Sequence, residues 1–205
     1  MNTPGILPKG FVGHLVDLYR IGSFNFNNPH SYSKFRNINA VRRRSGAKVL
    51  VETGTFRGVT TKRCAPHFEK IFTIELDPTL AAESRRYLSV FDHVKVIEGD
   101  ANEEVTKLLH ERQIESPAVF FLDGHFSGGQ TAHGDLAEPA LVVLEELAKH
   151  LDCVAGIIID DFREFGVAPG WPEKWKLIRL CEEKFASEGF KLSVHLDQVI
   201  VERQS

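Results

Sequence analysis

The sequence predicts an α/β protein with a Rossmann-like, doubly wound sheet of seven strands. The sheet is mostly parallel and ends in a C-terminal antiparallel hairpin. Apolar runs of strand length alternate with amphipathic segments of helix length, which is typical of βαβ units. The end of the chain changes to two alternating runs, KLSVHL and QVIVER, which predict an antiparallel hairpin at the sheet edge. A third observation is that each predicted strand before this hairpin ends in, or just before, an acidic residue.

The elements follow from this alternation in chain order. Five strands are predicted before the hairpin, near residues 48–52, 70–76, 94–98, 118–123 and 154–160. Helices are predicted near residues 57–66, 79–90, 102–112, 139–151 and 172–188. Asp77-Pro78 leads from a strand into a helix, Asn102 is expected to cap the next helix, and Gly189 ends the last one.

The chain divides into an N-terminal extension, residues 1–46, and a domain, residues 47–205. A domain of this size can bury a substantial core. Within the extension, SKFRNINAVRRRSG predicts a helix just before the first strand. The extension has three candidate roles: it caps or closes over the active site, it forms the contact of a homodimer, or it pads the sheet.

Composition excludes several classes of protein. The formal net charge is −3, and the basic run Arg42–Arg44 is too short for a nucleic-acid surface. Cys64, Cys153 and Cys181 form no C-x-x-C pair, so we expect free thiols in a reducing compartment. No apolar stretch approaches membrane-spanning length. We therefore expect a cytoplasmic protein whose partners are neither nucleic acid nor membrane.

The acidic strand ends are the strongest indication of function. They are Glu52, Glu75 with Asp77, Asp100, Asp123, and Asp160 with Asp161. In an open α/β sheet, ligands bind beyond the carboxyl ends of the strands, so these acids are expected to line one crevice. Such a crevice selects a cationic cofactor, a divalent metal ion, or both.

The segment Val51-Glu52-Thr53-Gly54-Thr55-Phe56-Arg57-Gly58 is a strand followed by a glycine-containing turn and a helix start. Gly54 and Gly58 allow the backbone to bend sharply and approach a ligand closely. Glu52 stands where a dinucleotide site has its first glycine, and its charge would oppose a pyrophosphate. S-adenosylmethionine (SAM) has no phosphate and carries an ammonium and a sulfonium group. The segment resembles the first motif of the class I SAM-dependent methyltransferases, which have a Rossmann-like fold.

This resemblance assigns the other strand-end acids to parts of SAM. It implies that Glu75 accepts hydrogen bonds from the ribose hydroxyls, and that Asp100-Ala101 binds the adenine edge. The complete set of cofactor-binding residues that it implies is Glu52, Gly54, Thr55, Phe56, Gly58, Thr60, Glu75, Leu76, Asp100, Ala101, Asp123 and His125. The alternative is that Glu75, Asp77 and Asp100 are only helix caps or solvated loop acids.

Residues 48–161 are most similar to the metal-dependent O-methyltransferases, of the catechol type and the antibiotic-sugar type. Phe121-Leu122-Asp123 resembles the first metal-binding strand end of that group, and Ile159-Asp160-Asp161-Phe162 resembles the second. The resemblance implies methyl transfer to a hydroxyl of a small molecule, with Asp123, Asp160 and Asp161 holding Mg²⁺ or another divalent ion. Alternatively, Asp123 contacts SAM alone while Asp160 and Asp161 cap a loop.

The proton acceptor departs from the catechol-type pattern, in which a lysine follows the first metal-binding aspartate. Here Phe126 occupies that position. With Asp123, the candidate catalytic residues are His125 and His133, because histidine titrates near neutral pH. His125 instead packs against adenine if it takes the place of the aromatic residue found there in the family, and His133 is otherwise an ordinary loop residue.

Three other functions stay open at the level of sequence. One is a metal-independent O- or N-methyltransferase that uses a histidine base. Another is a non-catalytic SAM-binding module that regulates a partner through residues 1–46. An NAD-dependent dehydrogenase is the least favoured of the three, because the negative charge of Glu52 would oppose the pyrophosphate of NAD.

Overall fold

A computed structural model describes residues 15–16, 18–20, 22–24, 31–123 and 139–204. Within them, seven strands form one sheet in the order β3-β2-β1-β4-β5-β7-β6. The strands are β1 (Val49–Thr53), β2 (Lys70–Glu75), β3 (Val94–Glu98), β4 (Ala118–Leu122), β5 (Val154–Ile159), β6 (Phe190–His195) and β7 (Gln198–Arg203). The strands β1 to β5 are parallel, and β7 is antiparallel to both β5 and β6. The predicted doubly wound sheet and its terminal hairpin are confirmed.

The strand order identifies the ligand-binding edge. From β1, successive strands run outward through β2 and β3 on one side, and through β4 and β5 on the other. The gap between β1 and β4 is therefore the topological switch point, where open α/β sheets bind ligands beyond the carboxyl ends of their strands. The hairpin turn lies near this edge, and Leu196 and Asp197 both have positive φ, 50° and 65°, as a type I′ turn requires.

Six helices connect or flank these strands within residues 31–123 and 139–204. They are α1 (Ser31–Ser45), α2 (Val59–Cys64), α3 (Pro78–Leu88), α4 (Ala101–His110), α5 (Ala140–Leu147) and α6 (Lys174–Phe185). The predicted positions are confirmed, but the predicted Asn102 cap is wrong. Asp100 caps α4 instead, because its carboxylate accepts from the backbone N–H groups of Asn102 and Glu103. None of the described helices combines the length and the apolar character that a membrane span requires.

Both faces of the sheet are buried, as parallel strands require. Along β1, Leu50 belongs to the core on one face, and Val51 belongs to the core on the other. The helices α4, α5 and α6 cover the Val51 face. On the Leu50 face, Ile38 and Val41 of α1 are fully buried against the sheet. Residues 31–45 of the extension therefore pack against the sheet, whereas the role of the extension and its boundary at residue 46 stay predictions.

Candidate functional site

The acidic strand ends lie side by side at one edge of the sheet. The register pairs Thr53 with Ile74 and with Leu122, so β1, β2 and β4 end level with one another. Beyond the strands the ladder continues, because the Asp123 N–H donates to the Thr53 carbonyl at 3.1 Å. The Asp160 N–H donates likewise to the Leu122 carbonyl at 2.9 Å. The predicted crevice thus has its acids on a single edge, on both sides of the switch point.

A tight loop, residues 54–58, follows β1 at this edge. Gly54, Phe56 and Gly58 have φ of 84°, 49° and 69°, so three of its five residues have left-handed backbone. Glycine adopts this conformation at little cost, whereas Phe56 is held there by its surroundings. Its N–H donates to Glu75 Oε2 at 2.7 Å, and its carbonyl accepts from the Ser84 hydroxyl at 2.6 Å. The loop is therefore fixed from below, with the Phe56 ring half-exposed above it.

Glu52 lies beneath this loop with only 1% of its surface exposed. Its Oε2 accepts from the hydroxyls of Thr61 and Thr73, the latter at 2.7 Å. The Thr73 hydroxyl also pairs with that of Thr55 at 2.6 Å, so the Thr55 side chain points into the core. Burial raises the pKa of Glu52 to about 7, although both hydroxyl donors act to lower it. Glu52 is thus part of a buried polar network that supports the loop.

Glu75 joins the loop to the end of β2. Its Oε2 accepts from the Phe56 N–H, and its Oε1 accepts from the Asp77 N–H at 3.0 Å. Each carboxylate oxygen can accept a further hydrogen bond. The next residue, Leu76, is exposed, and the Asp77 carboxylate caps α3 through the N–H groups of Thr79 and Leu80. The predicted cap at Asp77 is therefore confirmed.

Asp100 and Ala101 lie at the end of β3, where α4 begins. One oxygen of Asp100 accepts both cap hydrogen bonds, at 2.8 and 3.3 Å. Next to it, the amide oxygen Oδ1 of Asn102 is buried and has no hydrogen-bond partner among the described residues. A buried amide oxygen without a donor is costly. A ligand N–H group at this strand end would satisfy it.

On the other side of the switch point, the acids are held by side chains from distant parts of the chain. Lys34, in the first turn of α1, places its Nζ 2.7 Å from Asp123 Oδ2 and 2.6 Å from Asp160 Oδ2. The other oxygen of Asp160 accepts from the Gln198 amide at 2.6 Å, and Gln198 in turn accepts from the Asn37 amide at 2.6 Å. These five groups tie α1 and β7 to the ends of β4 and β5.

A second ion-pair cluster adjoins the first. Arg163 Nη1 lies 2.9 Å from Asp161 Oδ1 and also pairs with Asp197 of the hairpin turn. The backbone N–H of Arg163 also donates to the Asp197 carboxylate, at 2.7 Å. Asp161 has φ of 53°, a left-handed backbone that an aspartate tolerates better than most residues. The carboxylates of Asp123, Asp160, Asp161 and Asp197 therefore lie close to the cations Lys34 and Arg163.

At the ends of β4 and β5, burial and neighbouring charges have opposite effects on the pKa values of the side chains. Burial acts to lower the pKa of Lys34, but the carboxylates of Asp123 and Asp160 outweigh it and raise that pKa above its usual value. Burial also raises the pKa of Asp123 well above its usual range, against the opposing charge of Lys34. One oxygen of Asp123, Oδ1, is buried and has no hydrogen-bond partner among residues 31–123 and 139–204.

The predicted site residues meet different outcomes. Asp123, Asp160 and Asp161 come together, with one carboxylate oxygen from each lying within 4.8 Å of the others. Gly54, Gly58, Thr60, Glu75 and Asp100 lie at the same edge, around the loop and the ends of β2 and β3. His125 and His133, with Phe126, lie outside the described residues, so the identity of the proton acceptor stays a prediction.

Sequence analysis missed the residues that contact or adjoin the acids at the ends of β4 and β5. These residues are Lys34, Asn37, Gln198, Arg163 and Asp197. A signal for two of them exists in α1. Lys34 and Asn37 lie on the same face of the helix as the buried Ile38 and Val41, because these positions are three or four residues apart. This face therefore directs polar residues toward the core. A lysine on an otherwise buried stripe predicts an acidic partner.

Another group of possible metal ligands lies away from this edge. His110, Glu146 and His150 cluster where α4 and α5 end, with His110 Nε2 3.1 Å from Glu146 Oε1. Glu146 already pairs with Lys149 at 2.6 Å, and His110 is exposed. This group is accounted for as surface ion pairs and hydrogen bonds.

Comparisons with known proteins bear on the fold. No family model matches the chain, and no curated protein matches it in sequence. The O-methyltransferase of Bacillus cereus, solved with S-adenosylhomocysteine (SAH), superposes with a TM-score of 0.57 at 19% identity, covering 82% of this chain and 79% of its own. The SAH-bound methyltransferase of Podospora anserina gives 0.54 at 16% identity, covering 84% and 79%.

An enzyme with another acceptor atom fits nearly as well. The N-methyltransferase NodS of Bradyrhizobium japonicum gives a TM-score of 0.53 at 12% identity, covering 84% of this chain and 96% of its own. The similarity is therefore one of architecture and does not separate oxygen from nitrogen acceptors. The chain has the Rossmann-like fold of the class I SAM-dependent methyltransferases.

Proposed function

We propose that this protein is a SAM-dependent methyltransferase that transfers a methyl group to a hydroxyl of a small molecule, with a divalent ion at Asp123, Asp160 and Asp161. One observation carries the proposal: the acids and the glycine loop of five adjacent strands line one edge at the switch point of a methyltransferase fold. The solved structures that resemble it include an O-methyltransferase and a further methyltransferase, each with SAH bound.

The residues at the β1–β3 strand ends suit SAM. The two oxygens of Glu75 accept from the N–H groups of Phe56 and Asp77, and each can accept one further hydrogen bond from a ribose hydroxyl. The partnerless Asn102 Oδ1 offers an acceptor for the adenine amino group. Glu52, when ionised beneath the loop, adds negative charge that favours the ammonium and the sulfonium. When bound, SAM supplies an electrophilic methyl group on a positively charged sulfur.

The acids at β4 and β5 suit a hard divalent ion. Three carboxylates within 4.8 Å of one another provide oxygen ligands, and Mg²⁺ prefers one or two carboxylates together with water and substrate oxygens. The buried Asp123 Oδ1, which lacks a partner within the described chain, is a free acceptor for such an ion. When bound, the ion supplies a Lewis acid that lowers the pKa of an acceptor hydroxyl. The carboxylates then orient the acceptor beside the SAM pocket.

A metal-independent transfer is the alternative that a specific observation favours. Lys34 already contacts Asp123 and Asp160, and Arg163 already contacts Asp161. A cation is thus present at each of the three acids without an added ion. In that case the acceptor is an oxygen or a nitrogen, and His125 or His133 takes its proton.

Calorimetric titration with SAH tests the cofactor assignment. Glu75→Gln removes the charge and one acceptor oxygen facing the ribose, so SAH binding is expected to weaken by about 10- to 100-fold. Glu98→Gln is the matched control, because Glu98 stands opposite Glu75 in the register but is half-exposed and pairs with Arg85. Equal affinities for the two variants, or preferential binding of NAD to the parent protein, would contradict the proposal.

Transfer of a labelled methyl group to a panel of small-molecule hydroxyl acceptors tests the chemistry. Activity that is lost with EDTA and restored by Mg²⁺ is expected. Activity unaffected by EDTA would select the metal-independent alternative. Tight SAH binding with no transfer to any acceptor would favour a regulatory SAM-binding module.

A further inference from the structure

The ammonium group of Lys34 occupies the carboxylates that the proposed ion needs. Its Nζ lies 2.7 Å from Asp123 Oδ2 and 2.6 Å from Asp160 Oδ2, so it contacts two of the three acids in the group. The Lys34 side chain is 16% exposed and that of Asp160 only 1%, so water screens these contacts weakly. Lys34 is therefore placed as the resident cation of this acidic cluster.

A divalent ion and this ammonium cannot share the cluster as it stands. An Mg²⁺ ion bonds to carboxylate oxygens at about 2.1 Å, so an ion held by Asp123 and Asp160 would lie close to an ammonium that already contacts both carboxylates. Two adjacent cations in a poorly screened site repel each other strongly. Either the ammonium leaves or the ion does not bind.

We propose that Lys34 and a divalent ion are alternative partners of Asp123 and Asp160, so that Lys34 competes with the ion and swings away when the ion binds. This inference rests on the ion site of the proposed function. It goes beyond that function by naming the residue that sets the ion affinity.

The side chain, and not the helix, is the part that moves. Below Lys34, Ile38 and Val41 are fully buried against the sheet, and Asn37 is tied to Gln198 of β7. The backbone of α1 is thus fixed directly after its first turn. A lysine carries its charge on four flexible carbons, and the partial exposure of Lys34 gives it a path to solvent. Without the ion, the ammonium keeps the two aspartates from repelling each other.

Calorimetric titration of the full chain with Mn²⁺ alone, which suits carboxylate sites, tests the competition. Lys34→Met keeps the length of the side chain and removes the charge, so Mn²⁺ is expected to bind roughly tenfold more tightly. Lys48→Met is the control, since Lys48 forms an exposed pair with Glu69 and contacts no site residue. Equal Mn²⁺ affinity in the parent protein and Lys34→Met, including the absence of binding in both, would overturn the inference.

A second measurement uses the unmodified sequence and so does not depend on the folding of a variant. Lysine amines are reductively methylated with and without saturating Mn²⁺, and the modified sites are read by mass spectrometry. Lys34 is expected to be protected without the ion and to react several-fold faster with it, while Lys48 is unchanged. A Lys34 that the ion leaves unchanged or protects further would show that ammonium and ion do not exchange.

The outcomes separate this inference from the proposed function. SAH binding, measured on the same samples, reports on the methyltransferase assignment and is independent of Lys34 exchange. If SAH binds but Lys34→Met leaves Mn²⁺ affinity unchanged, only the competition fails. If Lys34→Met binds Mn²⁺ more tightly but SAH binds neither protein, the ion site stands and the methyltransferase assignment fails.

Discussion

The two sides of the switch point hold their acids in different ways. At the ends of β2 and β3, Glu75, Asp77 and Asp100 accept hydrogen bonds from backbone N–H groups, and those that bind Asp77 and Asp100 belong to residues two or three positions further along the chain. At the ends of β4 and β5, Asp123 and Asp160 contact the ammonium of Lys34, which lies far away in the chain. One half is held by backbone and hydroxyl dipoles, and the other by cations.

This difference indicates what each half can exchange with a ligand. Backbone donors at the β2 and β3 ends are fixed by the fold, so a ligand there uses the remaining acceptor capacity and displaces nothing. Cations on side chains can be displaced by another cation, so the β4 and β5 ends can exchange partners. The first half is therefore preorganised, and the second is suited to regulation by ions.

The largest effect that distinguishes the halves is expected from Asp160→Ala. Asp160 is almost fully buried between Lys34 and Gln198, so its loss leaves a part-buried ammonium with one fewer partner and a buried amide unpaired. The free energy of unfolding is expected to fall by about 3 kcal/mol. Asp77→Ala, which removes only a helix cap, is expected to cost about 1 kcal/mol.

Urea unfolding at neutral pH measures both variants. Asp123, Asp161 and Asp197 also carry negative charge near Asp160, so relief of their repulsion is the opposing effect. A variant Asp160→Ala that is as stable as the parent protein would show that repulsion dominates. The cation-held half would then be a strained site and not a stabilising one.

Glu52→Gln tests whether hydroxyl dipoles alone can keep a buried acid ionised. Burial raises the pKa of Glu52 from 4.5 to about 7, so between these pH values the folded protein binds more protons than the unfolded chain. The stability contributed by this group is therefore present below pH 4.5 and is lost as the pH rises to about 7. The loss amounts to about 3 kcal/mol by the relation between pKa shift and free energy.

The variant has no such titration, so its stability relative to the parent protein is expected to improve from pH 5 to pH 8. Unfolding in urea across this range gives the difference, with Glu98→Gln as a control that removes an exposed acid. A difference that does not change with pH would mean that Thr61 and Thr73 hold the pKa of Glu52 near its ordinary value.

The sequence predicted the two halves unequally. Strands, helices and the strand-end acids were predictable because each depends on local alternation and on residues that follow one another, such as Asp77-Pro78 at the start of α3. Even there, the sequence alone favours Asn102 as the cap of α4, since two polar residues at one helix start compete for the same role. Asp100 caps the helix because its backbone is extended, whereas Asn102 is already helical.

The cation partners depend on tertiary structure. Lys34 lies 89 residues before Asp123, and Asn37 lies 161 residues before Gln198. The periodic pattern of apolar residues within a helix or strand does not indicate which distant residues come into contact. A charged residue on a helix usually faces water. The polar stripe of α1 indicates that Lys34 is directed inward, but the sheet order is needed to say which acids it reaches.

Gly156→Ala sharpens the comparison because it crowds α1 most strongly. A Cβ at Gly156 of β5 would lie 2.5 Å from Val41 Cγ1 and 3.3 Å from the Val201 carbonyl oxygen. Val41, on the helix that carries Lys34, must give way, at a cost of about 1–3 kcal/mol. Mn²⁺ affinity is expected to change, whereas SAH affinity stays within about twofold because the glycine loop is not displaced.

The double variant Val41→Ala/Gly156→Ala is the matched control, since it removes the clashing methyl groups. Its unfolding free energy is expected to be higher than the sum of the two single changes predicts. Additive effects on stability would show that the contact with Val41 does not cause the destabilisation. A loss of SAH binding equal to the loss of Mn²⁺ binding would show that the two halves are mechanically coupled.

The smallest effect separates two acids with the same structural role. Asp77 and Asp100 each cap a helix by accepting from two backbone N–H groups, so each change to alanine is expected to cost about 1 kcal/mol of stability. Only Asp100 adjoins the partnerless Asn102 Oδ1, where the adenine ring is expected. Calorimetry should therefore show SAH binding weakened by roughly tenfold in Asp100→Ala and unchanged in Asp77→Ala. Asp100→Asn keeps a capping oxygen, so weaker SAH binding there without a loss of stability would assign the effect to the ligand. Equal SAH affinities for all three variants would mean that the carboxylate at the end of β3 serves the helix alone.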